Sequence, residues 1–374
     1  MIAFNKPYLT GDEMLYIQEA VAGGKISGDG IYTKKCHAYF KDRYGFKKCL
    51  LTTSCTDALE MCALLLKIVP DDEIIVPSFT FVSTANAFVL RGAKIIFADS
   101  RHDHPGINED EIEELINPKT KAIVVVHYAG VACDMDKIMA LAKKHNLWVV
   151  EDAAQSVDAF YKSKPLGSIG HLATFSFHET KNIQCGEGGM LVINDDAFIN
   201  RAEIIREKGT NRSSFFRGEI DKYSWVDIGS SYLPSDINAA FLMAQLENLE
   251  SIQKKRLEIW QLYYSQLNDL DQRGLIQLPF IPDFASNNAH MFYIICRNIE
   301  ERTKVIDSLK SKNIMAVFHY LSLHSSTFYH DKHDGRQLEN SDRYSDCLLR
   351  LPFYYELKSE DIQTITSAIQ EVYE

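Results

Sequence analysis

No apolar run in this 374-residue chain reaches the roughly 18–20 residues that a membrane-spanning helix needs, which excludes a span of that kind. The opening residues, MIAFNKPYLTGDE, lack the apolar stretch of a secretion signal, so a cytoplasmic location is expected. Positive charge is not in excess. Forty Lys and Arg stand against 51 Asp and Glu, a net charge of −11, and an acidic chain has no global field for phosphate backbones, so no nucleic-acid partner is expected. None of the eight cysteines, at 36, 49, 55, 62, 133, 185, 296 and 347, forms a C-x-x-C pair, which argues against a zinc knuckle or a redox motif. Reduced thiols buried as small hydrophobes are the simplest reading. His324, His330 and His333 fall at no standard zinc spacing and read as part of a solvated polar segment, so no metal is expected. Internal repeats and low-complexity stretches are absent.

What remains is ordinary globular composition, 46% hydrophobic and 24% charged, in a chain long enough for two or three domains. From about residue 50 to 195, short apolar runs alternate with helical patterns. Ile74-Ile75-Val76, Lys94 to Phe97, Ala122 to Val126 and Leu147 to Val150 are separated by helical stretches at 58–67, 83–91 and 135–145. This pattern predicts an α/β fold with a mainly parallel sheet covered on both faces, whose ligands collect at the carboxyl ends of the strands. A long helical pattern over about 235–267 carries two apolar rows and reads as a bridge between a large unit, 1–245, and a smaller α+β unit, 246–374. In the smaller unit 292–296 and 314–318 read as strands, 300–310 and 359–373 as helices.

The strand exits carry the chemistry. Glu151-Asp152 leaves one apolar run and is followed by Ala153-Ala154-Gln155; Phe175-Ser176-Phe177-His178-Glu179-Thr180-Lys181 leaves another. Taken singly, such an Asp most often caps a helix and such a Lys is most often solvated. Together they meet a specific requirement. Pyridoxal phosphate needs a lysine amine for covalent attachment, and a carboxylate to keep its ring nitrogen protonated so that the ring can accept electrons. It also needs a flat group to stack on the ring and a helix N-terminus for the phosphate. Lys181 and Asp152 supply the first two. Phe81, in Pro77-Ser78-Phe79-Thr80-Phe81, offers the aromatic, and Ser54-Cys55-Thr56 opens a helix with free N–H groups, with Ser176 adding a hydroxyl.

The motifs EDAAQ, FSFHETK and PSFTFVSTANA closely resemble those of the DegT/DnrJ/EryC1/StrS sugar aminotransferases, and the likeness runs from Phe4-Asn5-Lys6-Pro7 to the LRLP stretch at 349–352. The resemblance implies fold type I of the pyridoxal-phosphate enzymes, with a seven-stranded large domain, a smaller C-terminal domain and a homodimer with shared active sites. It places Lys181 and Asp152 at the catalytic positions. It also puts Gln155 near the cofactor's 3-hydroxyl, Phe81 on the ring, and Ser54, Cys55, Thr56 and Ser176 around the phosphate. Segment 207–236 (EKGTNRSSFFRGEIDKYSWVDIGSSYLPSD), with HYAGVACDMD and VFHY, resembles family members that use L-glutamate to aminate C4 of a dTDP-4-keto-6-deoxy sugar.

The sequence departs from the family at two places. Gly229-Ser230-Ser231-Tyr232-Leu233 stands where Gly-Tyr-Asn-Tyr-Arg is common, so Ser231 would have to replace an Asn that reaches the neighbouring subunit's cofactor, and Asn211 and Arg212 are candidates to assist. Cys55 replaces the cradle glycine, and at a helix N-terminus a thiol of lowered pKa would be reactive, although a small tolerated residue is the simpler reading. His319 and Tyr320 are expected to contact substrate, Arg212, Arg217 and Lys222 to favour a nucleotide diphosphate, and Gly28-Asp29-Gly30 to lie near the sugar nucleotide. Dehydratase relatives carry His in place of the lysine, so Lys181 argues for amino transfer. A non-catalytic relative, the gluco epimer as product and transamination at C3 are the other readings.

Overall fold

The computed structural model describes all 374 residues. Its centre is a seven-stranded sheet built from β1 (Lys48–Thr52), β2 (Glu73–Pro77), β3 (Lys94–Ala98), β4 (Thr120–Val126), β5 (Trp148–Asp152), β8 (Leu172–Ser176) and β9 (Gly189–Ile193), in the order β1-β9-β8-β5-β4-β2-β3. A small hairpin, β6 (Phe160–Tyr161) and β7 (Lys164–Pro165), lies between β5 and β8 in the chain. The pairs β2–β3, β2–β4, β4–β5 and β5–β8 are parallel; β9 runs antiparallel to both β8 and β1. This is the expected α/β architecture.

Strand periodicity sends alternate residues to opposite faces. Ile74, Val76, Val124 and Val150 pack on one face with helix Cys55–Leu65 and helix Val82–Val89. Ile75, Ile123, Val125 and Val149 pack on the other with helix Met135–His145. The same alternation separates the two carboxylates at the end of β5. Asp152 shares the face of Val150. Glu151 shares that of Val149, where it is fully buried beside His127 (Oε2 to Nε2 2.9 Å) and accepts the N–H groups of Gly167, Ile169 and Gly170 at 2.6–2.8 Å.

The long helix expected over 235–267 is two helices, Asp236–Glu247 and Leu249–Gln272. They divide at Asn248, whose backbone leaves the helical region while its side chain donates to the Ala244 carbonyl, the local competition that disfavours Asn inside helices. Beyond the break, a core that includes Tyr263, Phe292, Ile294, Leu349 and Ile365 surrounds a three-stranded sheet of β10 (Ile276–Gln277), β11 (Tyr293–Cys296) and β12 (Leu348–Arg350). The strand expected at 314–318 is absent as such. Ile314 and Val317 form single bridges, to Ile2 and Arg350, and the third strand is β12. His324 was expected in a solvated segment, yet it is buried with Nδ1 2.8 Å from the Ser78 hydroxyl, because that stretch folds back onto the end of β2.

Burial alone would raise the Glu151 pKa. The His127 hydrogen bond and charge, with the three N–H groups, outweigh it and hold the carboxyl below its ordinary value. A carboxyl whose pKa is depressed on folding contributes stability above its unfolded pKa, and that contribution is lost as the pH falls toward the folded value. Glu151→Ala leaves His127 and three buried N–H groups without an acceptor, so we expect a loss of about 3–5 kcal/mol. Thermal unfolding should show a lower midpoint for Glu151→Ala, with Glu151→Gln intermediate and less sensitive to acid below about pH 5.

Candidate active site

At the carboxyl ends of β4, β5 and β8, the helix face of the sheet opens into a cavity of about 580 Å³. The side chains that the seven-stranded sheet contributes are placed by the alternation above: Val126, Asp152 and Ser176 have the parity of Val124, Val150 and Leu172. Asp152 is buried. Its Oδ2 accepts from the Thr84 hydroxyl at 2.7 Å and its Oδ1 from the Ala154 N–H at 3.1 Å, while Thr84 lies 3.0 Å from the Thr80 hydroxyl. Burial raises the Asp152 pKa, and the Thr84 and Ala154 hydrogen bonds oppose that rise. A cationic N–H presented from the cavity would favour the charged form further.

Lys181 reaches the same cavity from the turn that follows β8. Its Nζ forms no ion pair and no hydrogen bond, and burial lowers its pKa below the ordinary lysine range. Desolvation of this kind makes a lysine amine easier to deprotonate, and the neutral form is the nucleophile and the proton acceptor.

The same cavity is also lined by the N-terminus of helix Cys55–Leu65. The Ser54 hydroxyl caps it by accepting the Asp57 N–H at 3.0 Å, and the N–H groups of Cys55 and Thr56, in the first turn, have no intrahelical acceptor. The Thr56 hydroxyl donates to Ser83 at 2.8 Å. Gly189 packs its backbone against this turn so closely that a Cβ there would lie 2.2 Å from the Ser54 carbonyl carbon. An anion is the natural occupant of this end. The thiol of Cys55 behaves contrary to the reactive reading: burial, reinforced by the charge of Asp152, pushes its pKa well up, outweighing the helix terminus.

Gln155 is held at both ends, its Oε1 accepting the Ala129 N–H at 2.6 Å and its Nε2 donating to the Tyr320 hydroxyl at 3.0 Å. Tyr320 stacks on His319 with ring centroids 3.5 Å apart, and His319 Nδ1 lies 2.7 Å from the Tyr128 hydroxyl. Phe81 sits at the cavity edge, tilted against Tyr320 at 6.2 Å and 55% exposed. Thus Ser54, Cys55, Thr56, Phe81, Asp152, Gln155, Ser176, Lys181, His319 and Tyr320 share one cavity.

Other candidates lie outside it. Ser231 is exposed and bridges to Glu207. Asn211 accepts the Ser224 N–H, and Arg212 lies over the Phe216 ring. Arg217 is paired with Glu203 and Glu219, which neutralise the charge expected to attract a diphosphate, while Lys222 is exposed. Asp29 is paired with Arg206 at 2.9 Å, away from the cavity. Several lining residues were given no role by the sequence reading, His290 and Arg350 among them. His290, from the loop before β11, bonds Asn182 through Nδ1 at 2.8 Å; Arg350 ends β12 inside the LRLP stretch. The isolated Arg between buried leucines was the only signal for the latter.

The donor set fits pyridoxal phosphate: N–H groups for a phosphate at one end, a hydrogen-bonded carboxylate for the ring nitrogen, and an unpartnered amine between them. Comparison with known proteins agrees. The chain matches the DegT/DnrJ/EryC1/StrS aminotransferase family over residues 7–370. It is 33% identical over 352 residues to the uncharacterized protein MJ1066 of Methanocaldococcus jannaschii, covering 92% of this chain and 90% of that one. Among solved structures, the aminotransferase TlmJ of Streptoalloteichus hindustanus superposes with a TM-score of 0.91 at 26% identity, covering 100% of this chain and 99% of that one. A DegT DnrJ EryC1 StrS aminotransferase of Brucella abortus gives 0.86 at 27% identity, with 96% and 94% covered. The chain therefore belongs to the DegT/DnrJ/EryC1/StrS aminotransferase family and is a pyridoxal-phosphate-dependent sugar aminotransferase of fold type I.

Proposed function

We propose that the protein transfers the amino group of L-glutamate to C4 of dTDP-4-keto-6-deoxy-D-glucose, giving dTDP-4-amino-4,6-dideoxy-D-galactose and 2-oxoglutarate, for the synthesis of enterobacterial common antigen. The observation that carries the reaction class is the unpartnered Lys181 amine in one cavity with the hydrogen-bonded Asp152 carboxylate. The likeness of segment 207–236 to members acting on that ketosugar supports the substrate.

Bound pyridoxal phosphate supplies an electron sink that takes the electron pair left when a proton departs from the carbon bearing the amine. Lys181 would hold the cofactor through Nζ. Once displaced by the donor's amine, the same Nζ accepts the proton from the donor's α-carbon and, in the acceptor half, delivers a proton to C4 of the sugar. Burial lowers its pKa, which makes the neutral amine easier to reach than in an exposed lysine. Asp152, fixed by Thr84 and Ala154, would keep the ring nitrogen protonated. Cys55 and Thr56 N–H groups, with the hydroxyls of Ser54, Thr56 and Ser176, would hold the phosphate, Gln155 would serve the ring's 3-hydroxyl and Phe81 would stack on the ring. His319 and Tyr320 line the sugar side.

The proposed unit is a homodimer. Apolar side chains are exposed beside the cavity mouth (Phe81 and Phe318) and on the outlying segment (Phe216 and Trp225). A second copy covering them would bring Ser231, Asn211 and Arg212 toward the neighbour's cavity. In this division of labour residues 1–245 carry the cofactor and 246–374 close over the substrate.

Lys181→Ala should abolish turnover while still retaining pyridoxamine phosphate, measured by cofactor absorbance after gel filtration; turnover at the wild-type rate would overturn the assignment. Asp152→Asn should lower kcat in both half-reactions with KM for glutamate little changed. For the product, the purified protein with pyridoxal phosphate, L-glutamate and dTDP-4-keto-6-deoxyglucose should yield a sugar whose C4 proton shows small NMR couplings, from an axial amino group. Large couplings would mean the gluco epimer, and an amine at C3 would move the reaction to the neighbouring carbon.

A further inference from the structure

His290 lines the cavity without a role in the assignments above, and the bonds around it fix which of its nitrogens carries the proton. It stands on segment 287–290, which leads into β11 and is tied from three sides. The Asn288 side chain donates through Nδ2 to the carbonyls of Gln155 and Val157, at 2.8 and 3.0 Å. The buried Arg256 donates to the carbonyls of Ala289 and His290, at 3.0 and 2.6 Å. The third tie is Asn182, the residue after Lys181. Its Nδ2 donates to the Asn288 carbonyl at 2.9 Å and to Gln253 Oε1 at 2.8 Å, while Gln253 Nε2 donates to that same carbonyl at 3.3 Å. Ala289 is held at φ +48°, a left-handed conformation that is costly for alanine and persists only where its surroundings over-determine it.

A carbonyl oxygen only accepts. Both N–H groups of Asn182 are therefore directed at Asn288 and Gln253, and its Oδ1 is the atom that faces His290 Nδ1 at 2.8 Å. Since that oxygen also only accepts, Nδ1 carries the ring proton, and in the neutral ring Nε2 is a bare acceptor. The ring is kept neutral. Burial lowers its pKa well below the ordinary histidine range, and the charges of Lys181, Arg256, Arg350 and His319 act in the same direction. Lys181 is the first of these after burial, so its amine and the ring lie within each other's field. His319 shares the cavity, but its Nδ1 meets the Tyr128 hydroxyl, which donates or accepts, so nothing fixes its tautomer.

We infer that His290 is a positioning residue for Lys181, its bare Nε2 accepting a hydrogen bond from Nζ once that amine is released, an inference that rests on the reading of Lys181 as proton carrier. In the folded chain Nζ has no partner of its own. After it takes up the donor's α-proton it is an ammonium removed from water, where an N–H group without an acceptor is costly. The acids that line the cavity are committed elsewhere: Asp152 is engaged by Thr84 and Ala154, and Glu187 is exposed beside His178. The Asn182 bond places the imidazole on the residue that follows the lysine, so amine and acceptor belong to one hydrogen-bonded unit. An imidazole is a weaker base than an alkyl amine, so the proton stays on Nζ and the bond only directs it. Because Lys181 moves a proton in both half-reactions, His290 acts in both.

Two substitutions keep different parts of the ring's bonding. His290→Asn retains an N–H where Nδ1 stands and has nothing at Nε2; His290→Gln reaches about as far as Nε2 with an amide oxygen. Each half-reaction of the holoenzyme is followed by cofactor absorbance in a single turnover, the pyridoxal form with L-glutamate and the pyridoxamine form with dTDP-4-keto-6-deoxyglucose. His290→Asn should slow both halves by about 30-fold or more, as misplacement of a reacting group implies, and leave both apparent Kd values within about threefold. Its primary isotope effect with α-deuterated glutamate should rise. His290→Gln should recover at least about tenfold of the loss. Independently of turnover, the nitrogen NMR spectrum of holoenzyme carrying 15N-histidine, assigned by the signal missing from whichever variant folds, should show His290 neutral, protonated at Nδ1 and bare at Nε2. An Nε2–H tautomer, equal losses in the Asn and Gln variants, or a loss confined to one half would overturn the inference, a loss in the acceptor half alone assigning Nε2 to a sugar hydroxyl. Exchange of glutamate's α-proton with solvent at the wild-type rate in Lys181→Ala would instead sink the reading of Lys181 as proton carrier.

Discussion

The Asp152 carboxylate is the group around which the rest of the site is arranged, because a buried carboxyl at a strand end is costly to ionise unless donors are aimed at it. The chain answers with two: the Thr84 hydroxyl, carried on the helix after β2, and the Ala154 N–H two residues on. Placing Thr84 requires β2 to lie beyond β4 in the sheet, and placing Asp152 on the cavity face requires the register that sends Val150 to the same side. Glu151, one residue earlier, shows the other half of that constraint. On the opposite face it meets a closed set of partners and carries a structural charge, not a chemical one. Two adjacent acids thus acquire different roles from strand period alone.

That much was legible in the sequence, because parallel strands buried on both faces read as short apolar runs and functional side chains follow at their carboxyl ends. The order of helix start, aromatic turn, Glu-Asp exit and lysine turn gave the cavity's main lining. Contacts made by the C-terminal part were not legible. His290 and Arg350 lie 109 and 169 positions beyond Lys181, and no local pattern records that β11 and β12 pack against that wall. The break at Asn248 was hidden for a different reason. The apolar rows continue through it, and only the side chain's bond to Ala244 marks the interruption.

Cys55 illustrates two effects of opposite sign on one atom. A helix N-terminus lowers a thiol's pKa, and the sequence shows only that term. In the folded chain Cys55 also faces the Asp152 side of a desolvated cavity, and both features favour the neutral thiol. The position therefore serves through its backbone N–H, which a glycine would supply equally, and the side chain need only be small. Gly189 has the reverse character: it contributes no polar atom of a side chain, yet any Cβ would displace the turn that presents those N–H groups.

The remaining asymmetry concerns charge. The cavity is lined by two basic groups, Lys181 and Arg350, and two acids, Asp152, engaged by Thr84 and Ala154, and Glu187, within a chain whose net charge is −11. Burial depresses the Lys181 pKa, and the charge of Arg350 acts in the same direction against the opposing pull of Cys55 and Asp152, so the amine gives up its proton more readily than an exposed lysine does.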